Sequence, residues 1–97
     1  MDRQTILDRL NAELPTLRTR FDVERLSIFG SVARDEADES SDVDILVQFQ
    51  HVATFDHYMD LKFHLEDKLG IQVDLATQKS LRPGWFDRIS REAIHVS

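Results

Sequence analysis

The run Val43–Phe49 is the feature of this sequence that most restricts its fold. It reads Val-Asp-Ile-Leu-Val-Gln-Phe, so Asp44 stands among apolar neighbours. Such a run predicts a strand that is buried on at least one face, and aspartate is depleted from strands of this kind. The strand therefore needs other elements to cover it, and the acid at position 44 needs an explanation of its own.

Strand and helix patterns alternate along the rest of the chain. Alternating residues predict further strands at Arg25–Phe29 and Ile71–Thr77. Apolar residues at three-to-four spacing predict a helix that is capped by Thr54 and ends at Gly70. A closing helix is expected over residues 84–93, where it would bury an apolar face composed of Phe86, Ile89 and Ala93.

The N-terminal segment has a helical spacing of leucines that contains a proline. Asp2 is a candidate N-cap, but Pro15 lacks a backbone donor. We therefore expect one helix to end near Ala12 and a shorter one to run from about Pro15 to Phe21. The whole pattern indicates one domain, residues 1–97, of the α/β (α+β) class, with a small mixed β-sheet flanked by helices.

Composition excludes several classes of function. The chain of 97 residues has 18 acidic and 12 basic residues, a formal charge of −6. This charge disfavours attraction to a phosphate backbone, so no direct binding of nucleic acid is expected. The absence of cysteine excludes disulfides and thiolate metal sites. With no long apolar stretch, no membrane association is expected and the predicted location is the cytoplasm.

The turn at Gly30-Ser31 has the composition of a phosphate-binding site. It follows an apolar strand and precedes a short helical segment near Val32–Arg34. Glycine allows close approach of a ligand to the backbone, and the free amides and the serine hydroxyl can donate to phosphate oxygens. The alternative is an ordinary turn at the end of a strand, and Gly-Ser alone is too common to decide between them.

Asp42 and Asp44 are candidate metal ligands. Residues two apart on a strand point to the same face, with Cα atoms about 7 Å apart. Two such carboxylates repel each other unless a cation lies between them, and oxygen ligands suit Mg²⁺. In the alternative interpretation Asp42 caps a turn beside Ser40 and Ser41, and Asp44 is solvated on an edge strand.

A third carboxylate, Asp74, lies within the strand predicted at Ile71–Thr77. If that strand neighbours Val43–Phe49, three carboxylates converge. Two could then hold metal ions, while the third could take a proton from an attacking hydroxyl and complete the metal shell. The alternative for Asp74 is a charge on an edge strand that discourages aggregation.

Taken together, these motifs resemble the signature of a known family. Phe29–Arg34, followed by Ser41–Val47 with ten residues between Ser31 and Asp42, is similar to the motif of minimal nucleotidyltransferases in the polymerase-beta-like superfamily. The similarity extends from the N-terminal helix to the segment Ile89–Ile94. Among these proteins, the small ones resemble MntA-type antitoxins, which are paired with a HEPN-domain toxin that cleaves RNA.

The resemblance implies a nucleotidyltransferase core, ATP as the nucleotide donor, Mg²⁺, and transfer of AMP to a tyrosine of the toxin. It also implies a hetero-oligomer with that toxin. At Asp35 this sequence departs from the family, because many relatives carry glycine there, and the aspartate could stiffen the turn or alter access. Carried across by position, the site comprises the catalytic and metal-binding acids Asp42, Asp44 and Asp74 and the nucleotide-binding residues Gly30, Ser31 and Arg34, of which Arg34 either braces the loop or approaches phosphate.

Two other functions fit the same sequence. A non-catalytic binding module could inactivate a partner by covering it. A nucleotidyltransferase could also modify a small molecule such as an aminoglycoside, although relatives of that kind generally need a further domain for the acceptor. The presence of all three acids favours catalysis.

Several conspicuous residues are expected to be incidental. His57 and His64 lie seven positions apart, too far for one metal ion, and are interpreted as surface or core-edge residues like the remaining histidines, His51 and His95. The acids between Asp35 and Glu39 predict a solvated loop. Trp85 is either a core anchor or an exposed binding aromatic.

Overall fold

The order of helices and strands follows the sequence patterns closely. A computed structural model describes residues 2–38 and 40–96, so Glu39 of the acidic loop lies outside the described residues. A short 3-10 helix, Gln78–Ser80, follows the third strand. The elements are α1 (Arg3–Arg20), β1 (Val23–Phe29), α2 (Gly30–Ala33), β2 (Val43–Phe49), α3 (Phe55–Leu69), β3 (Val73–Ala76), α4 (Trp85–Glu92) and β4 (Ile94–His95).

The strands form one mixed sheet in the order β3-β2-β1-β4. β1 is antiparallel to both β2 and β4, whereas β2 and β3 are parallel. The predicted strand at Val43–Phe49 is confirmed at both ends, and the other two predicted strands are confirmed with shifted ends. β4 was not predicted, because two residues are too few to show a strand pattern.

The sheet separates a large core from a smaller one. Val43, Ile45 and Val47 of β2 are buried on the face that α1 and α3 cover. Since side chains alternate along a strand, Asp44 and Leu46 point to the other face. There Leu46 packs with residues of β3 and α4 in a small apolar cluster that includes Ala76 and Ile89. The mixed α/β class predicted from the sequence is confirmed.

Helix α1 is continuous, so the predicted break at Pro15 is wrong. Asp2 caps the helix as expected, with its Oδ1 accepting from the Thr5 amide at 2.8 Å. A proline inside a helix costs about 3 kcal/mol, but burying each leucine contributes about 1.5–3 kcal/mol. Four apolar side chains on one side of α1 are buried, and together they outweigh the proline: Ile6, Leu10, Leu14 and Leu17.

Helix α3 begins and ends where the sequence indicates. Thr54 Oγ1 accepts from the His57 amide at 3.1 Å, and Gly70 ends the helix in a left-handed conformation with φ of 73°. Leu61, Leu65 and Leu69 are buried, but Phe55, the first residue of the apolar series, is exposed. In α4, Ile89 is buried as expected, while Phe86 and Ala93 are only half-buried.

Over residues 2–38 and 40–96, the chain has no helix with the length and apolar character that crossing a membrane requires. The division of the chain into one domain over residues 1–97 stays a prediction.

Candidate active site

Asp44 and Asp74 lie next to each other on the parallel strands β2 and β3. Their Cα atoms are partners in the strand register, so both side chains leave the same face of the sheet. Like charges directly opposite each other destabilise a sheet. Asp74 is exposed and β3 is an edge strand, as the edge-charge interpretation requires. That interpretation does not explain why the charge stands opposite a second acid.

The pKa of Asp44 is raised to about 6. The main cause is burial, which disfavours the charged form, and the negative charges of Asp74 and Asp42 act in the same direction. A side-chain hydrogen bond with Asp74 also raises the pKa, and only the positive charge of Arg34 lowers it. Burial and neighbouring negative charge thus make the ionised form of Asp44 unfavourable.

Gly30 lies directly against Asp44. A Cβ atom at Gly30 would overlap Asp44 Oδ2 and come within 3.0 Å of Asp44 Cγ. Gly30 also has a φ of 70°, which side-chain-bearing residues rarely adopt. Both the backbone conformation and the space beside Asp44 therefore require glycine. In the register, Phe29 of β1 is the partner of Asp44, so the turn begins one residue beyond the acid.

Ser31 belongs to the single-turn helix α2, which starts at Gly30. The helix is held in place by Val32 and Ala33, which are buried in the core. At its other end, Arg3 Nη1 donates to the Ala33 carbonyl at 3.0 Å. The amides at the start of a helix have no intrahelical acceptor, so those of α2 and the half-buried Ser31 hydroxyl are donors beside Asp44.

Arg34 follows α2 and is bound by two carboxylates. Its Nη1 donates to Glu92 Oε1 at 3.2 Å and Oε2 at 3.1 Å, and its Nε donates to Glu36 at 3.1 Å. Both carboxylates raise the pKa of Arg34. Glu92 Oε1 also accepts from the Gly30 amide at 3.2 Å. Of the two roles expected for Arg34, this arrangement matches that of a brace.

Asp42 is exposed and immediately precedes β2. The turn beside Ser40 and Ser41 is closed by Asp38 instead, whose Oδ1 accepts from the Ser40 amide at 2.9 Å and from both serine hydroxyls. The turn-capping role considered for Asp42 therefore belongs to Asp38. Asp35, which replaces a common glycine, has a φ of 60°, so the departure places an aspartate in a conformation that favours glycine.

Two of the three acids, Asp44 and Asp74, fit a magnesium site of the kind that a substrate completes. Among residues 2–38 and 40–96, no group of three or more His, Asp or Glu side chains could hold a metal ion. Mg²⁺ is usually bound by one or two carboxylates together with substrate phosphates. Asp44 and Asp74 supply the paired carboxylates, and the charge of Asp42 acts on Asp44. A cation here would offset the repulsion that raises the pKa of Asp44.

Comparison with known proteins decides the family. The nucleotidyltransferase domain family matches residues 9–95. The chain belongs to this family. The protein adenylyltransferase MntA of Thermococcus cleftensis is 41% identical over 87 residues, covering 90% of this chain and 88% of the relative. A Methanocaldococcus jannaschii protein, provisionally named a protein adenylyltransferase, is 39% identical over 93% of this chain and 97% of the relative. The resemblance noted in the sequence is confirmed, and the chain is a nucleotidyltransferase.

Solved structures agree with this family. One that is provisionally described as a minimal nucleotidyltransferase has a TM-score of 0.83 and 39% identity, covering 97% of this chain and 95% of that chain. Another is a complex of a tri-AMPylated HEPN toxin of Shewanella oneidensis with its MNT antitoxin. Its matching chain has a TM-score of 0.71 at 17% identity, covering 98% of this chain and 71% of that chain. At this identity, the second similarity shows the nucleotidyltransferase fold.

The histidines of this nucleotidyltransferase lie apart from the acids and have separate partners. His64 Nε2 pairs with Glu13 Oε1 at 2.7 Å, and His57 Nε2 bonds the Phe21 carbonyl at 2.6 Å. Both rings are half-buried, as expected for core-edge residues. His95 is exposed, and its Nδ1 bonds the Ser27 hydroxyl at 3.0 Å. The fourth histidine, His51, is exposed. 

Trp85 is 49% exposed at the start of α4, so it is not a core anchor. A groove of about 850 Å³ lies at the opposite end of β2 from Asp44, and it is lined in part by Phe49, Val52, Phe55 and Tyr58. None of the three acids lines this groove. The candidate site is therefore on the open face of the nucleotidyltransferase sheet, separate from the groove.

Two residues near the site were not identified from the sequence. Glu92 accepts hydrogen bonds from Gly30, 62 positions earlier in the sequence, and from Arg34, 58 positions earlier. Arg3 donates to the carbonyl of Ala33, 30 positions later. Both belong to helices in which charged residues are common. No local pattern distinguishes them from solvated charges, so only the tertiary structure could reveal them.

Proposed function

We propose that this nucleotidyltransferase is a Mg²⁺-dependent protein adenylyltransferase that transfers AMP from ATP to a tyrosine of a HEPN-type RNase toxin. In this role it acts as the antitoxin of a toxin–antitoxin pair in the cytoplasm. The observation that carries the proposal is the pairing of Asp44 with Asp74 beside the Gly30-Ser31 turn. Paired carboxylates next to free helix amides suit a magnesium–triphosphate substrate.

The relatives support the choice of donor and acceptor. The Thermococcus protein is named a protein adenylyltransferase and matches this chain over most of both lengths. A toxin–antitoxin complex with AMP-PNP, an ATP analogue, contains a chain with a TM-score of 0.74 to this one. The Shewanella complex contains a toxin that carries AMP groups. Transfer or binding of an adenine nucleotide by a protein of this fold is the element that these relatives have in common.

The residues of the site have separate roles in this reaction. Asp44 and Asp74 would hold Mg²⁺, with Asp42 adding negative charge beside them, and the bound ion would offset the negative charge of the triphosphate. The Ser31 hydroxyl and the amides that follow Gly30 in α2 orient the β- and γ-phosphates. Asp74, exposed at the sheet edge, accepts the proton of the incoming tyrosine hydroxyl.

The chemical step exchanges a phosphoanhydride bond of ATP for a phosphoester bond to tyrosine. The tyrosine oxygen forms a bond to the α-phosphorus while the bond from that phosphorus to the bridging oxygen of pyrophosphate breaks in line. The proton passes to Asp74 and pyrophosphate leaves with the electron pair of the broken bond. Positioning and charge compensation supply most of the rate enhancement expected for such a transfer.

The test combines the purified protein, ATP, Mg²⁺ and, as the candidate partner, the product of the neighbouring reading frame. Intact-mass spectrometry should show the partner heavier by one or more AMP groups, and peptide mapping should place them on tyrosine. Asp44→Asn and Asp74→Asn should each lower the rate by at least about 100-fold. Asp67→Asn removes an exposed acid of α3 and is the matched control, which should transfer AMP like the wild type.

Two outcomes would contradict the proposal, and each would indicate a different function. If Asp44→Asn still neutralises the partner and no AMP is transferred, the protein acts by binding alone. If an added aminoglycoside gains AMP in the absence of any protein partner, the acceptor is a small molecule. The second result would require the open face beside Asp74 to bind that acceptor directly.

A further inference from the structure

Helix α2, which carries the nucleotide-binding turn, depends on the rest of the protein for its conformation. It has four residues, and a helix that short is unstable alone because nucleation is costly. Val32 and Ala33 anchor its inner side in the core. Arg3 binds its last carbonyl, and the Glu92 carboxylate binds its first amide. The orientation of Ser31 is therefore determined by contacts from distant parts of the chain.

Glu92 connects the two ends of this turn. Its Oε1 accepts from the Gly30 amide at 3.2 Å, and its two oxygens accept from Arg34 Nη1 at 3.2 and 3.1 Å. The Glu92 side chain is 34% exposed, so about two thirds of it is shielded from water. Hydrogen bonds between charged partners of this kind are among the stronger ones in proteins.

We propose that Glu92 is a positioning residue for nucleotide binding, which holds the Gly30-Ser31 turn in the conformation that accepts a triphosphate. This inference rests on the proposed function. Glu92 acts through Gly30 and Arg34, and in this arrangement the Gly30 amide is used by the protein itself. The Ser31 hydroxyl and the next amides of α2 are the groups that contact phosphate. Fixing them in advance lowers the entropy cost of binding.

The structure favours a brace over an internal competitor of the phosphates. A competing carboxylate would have to leave before ATP binds, and its departure would have to free a cation for the phosphates. Arg34, however, also pairs with Glu36 at 3.1 Å and so would remain neutralised. Glu92 is the last residue of α4, which is anchored by Ile89 on one side and followed directly by the pairing of β4 with β1.

Calorimetric titration with AMP-PNP and Mg²⁺ tests the proposal without a partner protein. Glu92→Ala should weaken binding about tenfold, and Glu92→Gln, which keeps an oxygen for the Gly30 amide, about threefold. The binding stoichiometry should stay that of the wild type. If the substitution only unfolded part of the population, the binding stoichiometry would fall while the affinity of the remaining molecules stayed the same. If the alanine variant does not fold, the glutamine variant supplies the measurement.

Glu36→Gln is the matched control, because it removes an ion pair of Arg34 but has no contact with Gly30. It should bind AMP-PNP within about twofold of the wild type. Equal affinity in the wild type and both Glu92 variants would overturn the proposal, and so would tighter binding, which would identify Glu92 as a competitor.

Hydrogen exchange of the Gly30 amide separates this inference from the proposed function. It should accelerate at least about tenfold in Glu92→Ala but not in Glu36→Gln, because only the first loses the acceptor. Failure of the wild type to bind AMP-PNP would contradict the proposed function. Unchanged exchange in Glu92→Ala would contradict the brace itself.

Discussion

Asp44 and Asp74 are register partners on adjacent parallel strands. Gly30 lies against Asp44, so that a Cβ atom at position 30 would overlap the Asp44 carboxylate. The pair is unfavourable when both acids are ionised, because burial and neighbouring negative charge already raise the pKa of Asp44 to about 6. This cost is the physical basis for the expected behaviour of the protein toward pH and toward cations.

The stability of the metal-free protein should respond to the ionisation of Asp44. Its pKa of about 6 in the folded protein is above the ordinary aspartate value of 3.8, so its stabilising contribution is full below pH 3.8 and is lost as the pH rises through 6. At pH 7, Asp44→Asn should therefore have a free energy of unfolding about 1 kcal/mol higher than the wild type, which raises the melting temperature by roughly 4–8 °C. At pH 4 the two proteins should melt at the same temperature.

Thermal unfolding in a chelator from pH 4 to pH 7 measures this difference. Asp67→Asn is the control, and its difference from the wild type should not grow over the same pH range. A constant difference between Asp44→Asn and the wild type at all pH values would show that Asp44 is ionised alike in the folded and unfolded states.

Magnesium should stabilise the wild type at pH 7.5 when AMP-PNP is present to complete its coordination. A ligand at a concentration about ten times its dissociation constant raises the free energy of unfolding by about 1.4 kcal/mol. This increase should be smaller at pH 5, where Asp44 holds a proton. Differential scanning fluorimetry with increasing Mg²⁺ gives the shift. Asp44→Asn should lose most of it and Asp67→Asn should keep it. An identical magnesium response in both variants would place the cation elsewhere.

Gly30 and Gly70 allow backbone strain to be separated from contact with Asp44. Both have positive φ, 70° and 73°, but a Cβ at Gly70 meets no atom within 4 Å. Alanine at either position should cost about 1–2 kcal/mol of unfolding free energy. Only Gly30→Ala displaces Asp44, and it should lower AMP transfer about 100-fold. Chemical denaturation and the transfer assay measure the two effects, and equal activity of both variants would exclude the Asp44 contact as important.

Pro15→Ala should stabilise the protein without affecting nucleotide binding. The proline is exposed within α1, and alanine would restore a backbone donor for the Asn11 carbonyl. Alanine is favoured over proline by about 3 kcal/mol inside a helix, so a gain of at least about 1 kcal/mol is expected. Urea denaturation measures it. A loss of stability would mean that α1 is adapted to the bend that proline causes.

The parts of the fold with local signals were predictable. The Val43–Phe49 pattern located β2 at both ends, and Thr54 and Gly70 located the ends of α3. Pro15 was misleading because the local cost of a proline is visible in the sequence, whereas the compensating burial of Leu14 and Leu17 depends on tertiary packing. Long-range burial decides such cases, and sequence periodicity does not measure it.

The candidate site shows the same division. Asp42, Asp44 and the Gly30-Ser31 turn are close in sequence and could be recognised together. The neighbourhood of Asp74 and Asp44 could be inferred only on the condition that their strands were adjacent, and the parallel pairing of β2 with β3 meets that condition. The pairing of Arg34 with Glu92 could not be inferred, because a hydrogen bond across 58 positions leaves no periodic trace.

The contacts of α2 also imply an order of events during synthesis. The Gly30-Ser31 turn, which would bind the triphosphate, is translated about 60 residues before Glu92. A nascent chain that has released only α1, β1, α2 and β2 from the ribosome holds the Gly30-Ser31 turn without its brace. The geometry of the turn is therefore completed only after α4 emerges, so nucleotide binding at the turn depends on the synthesis of α4.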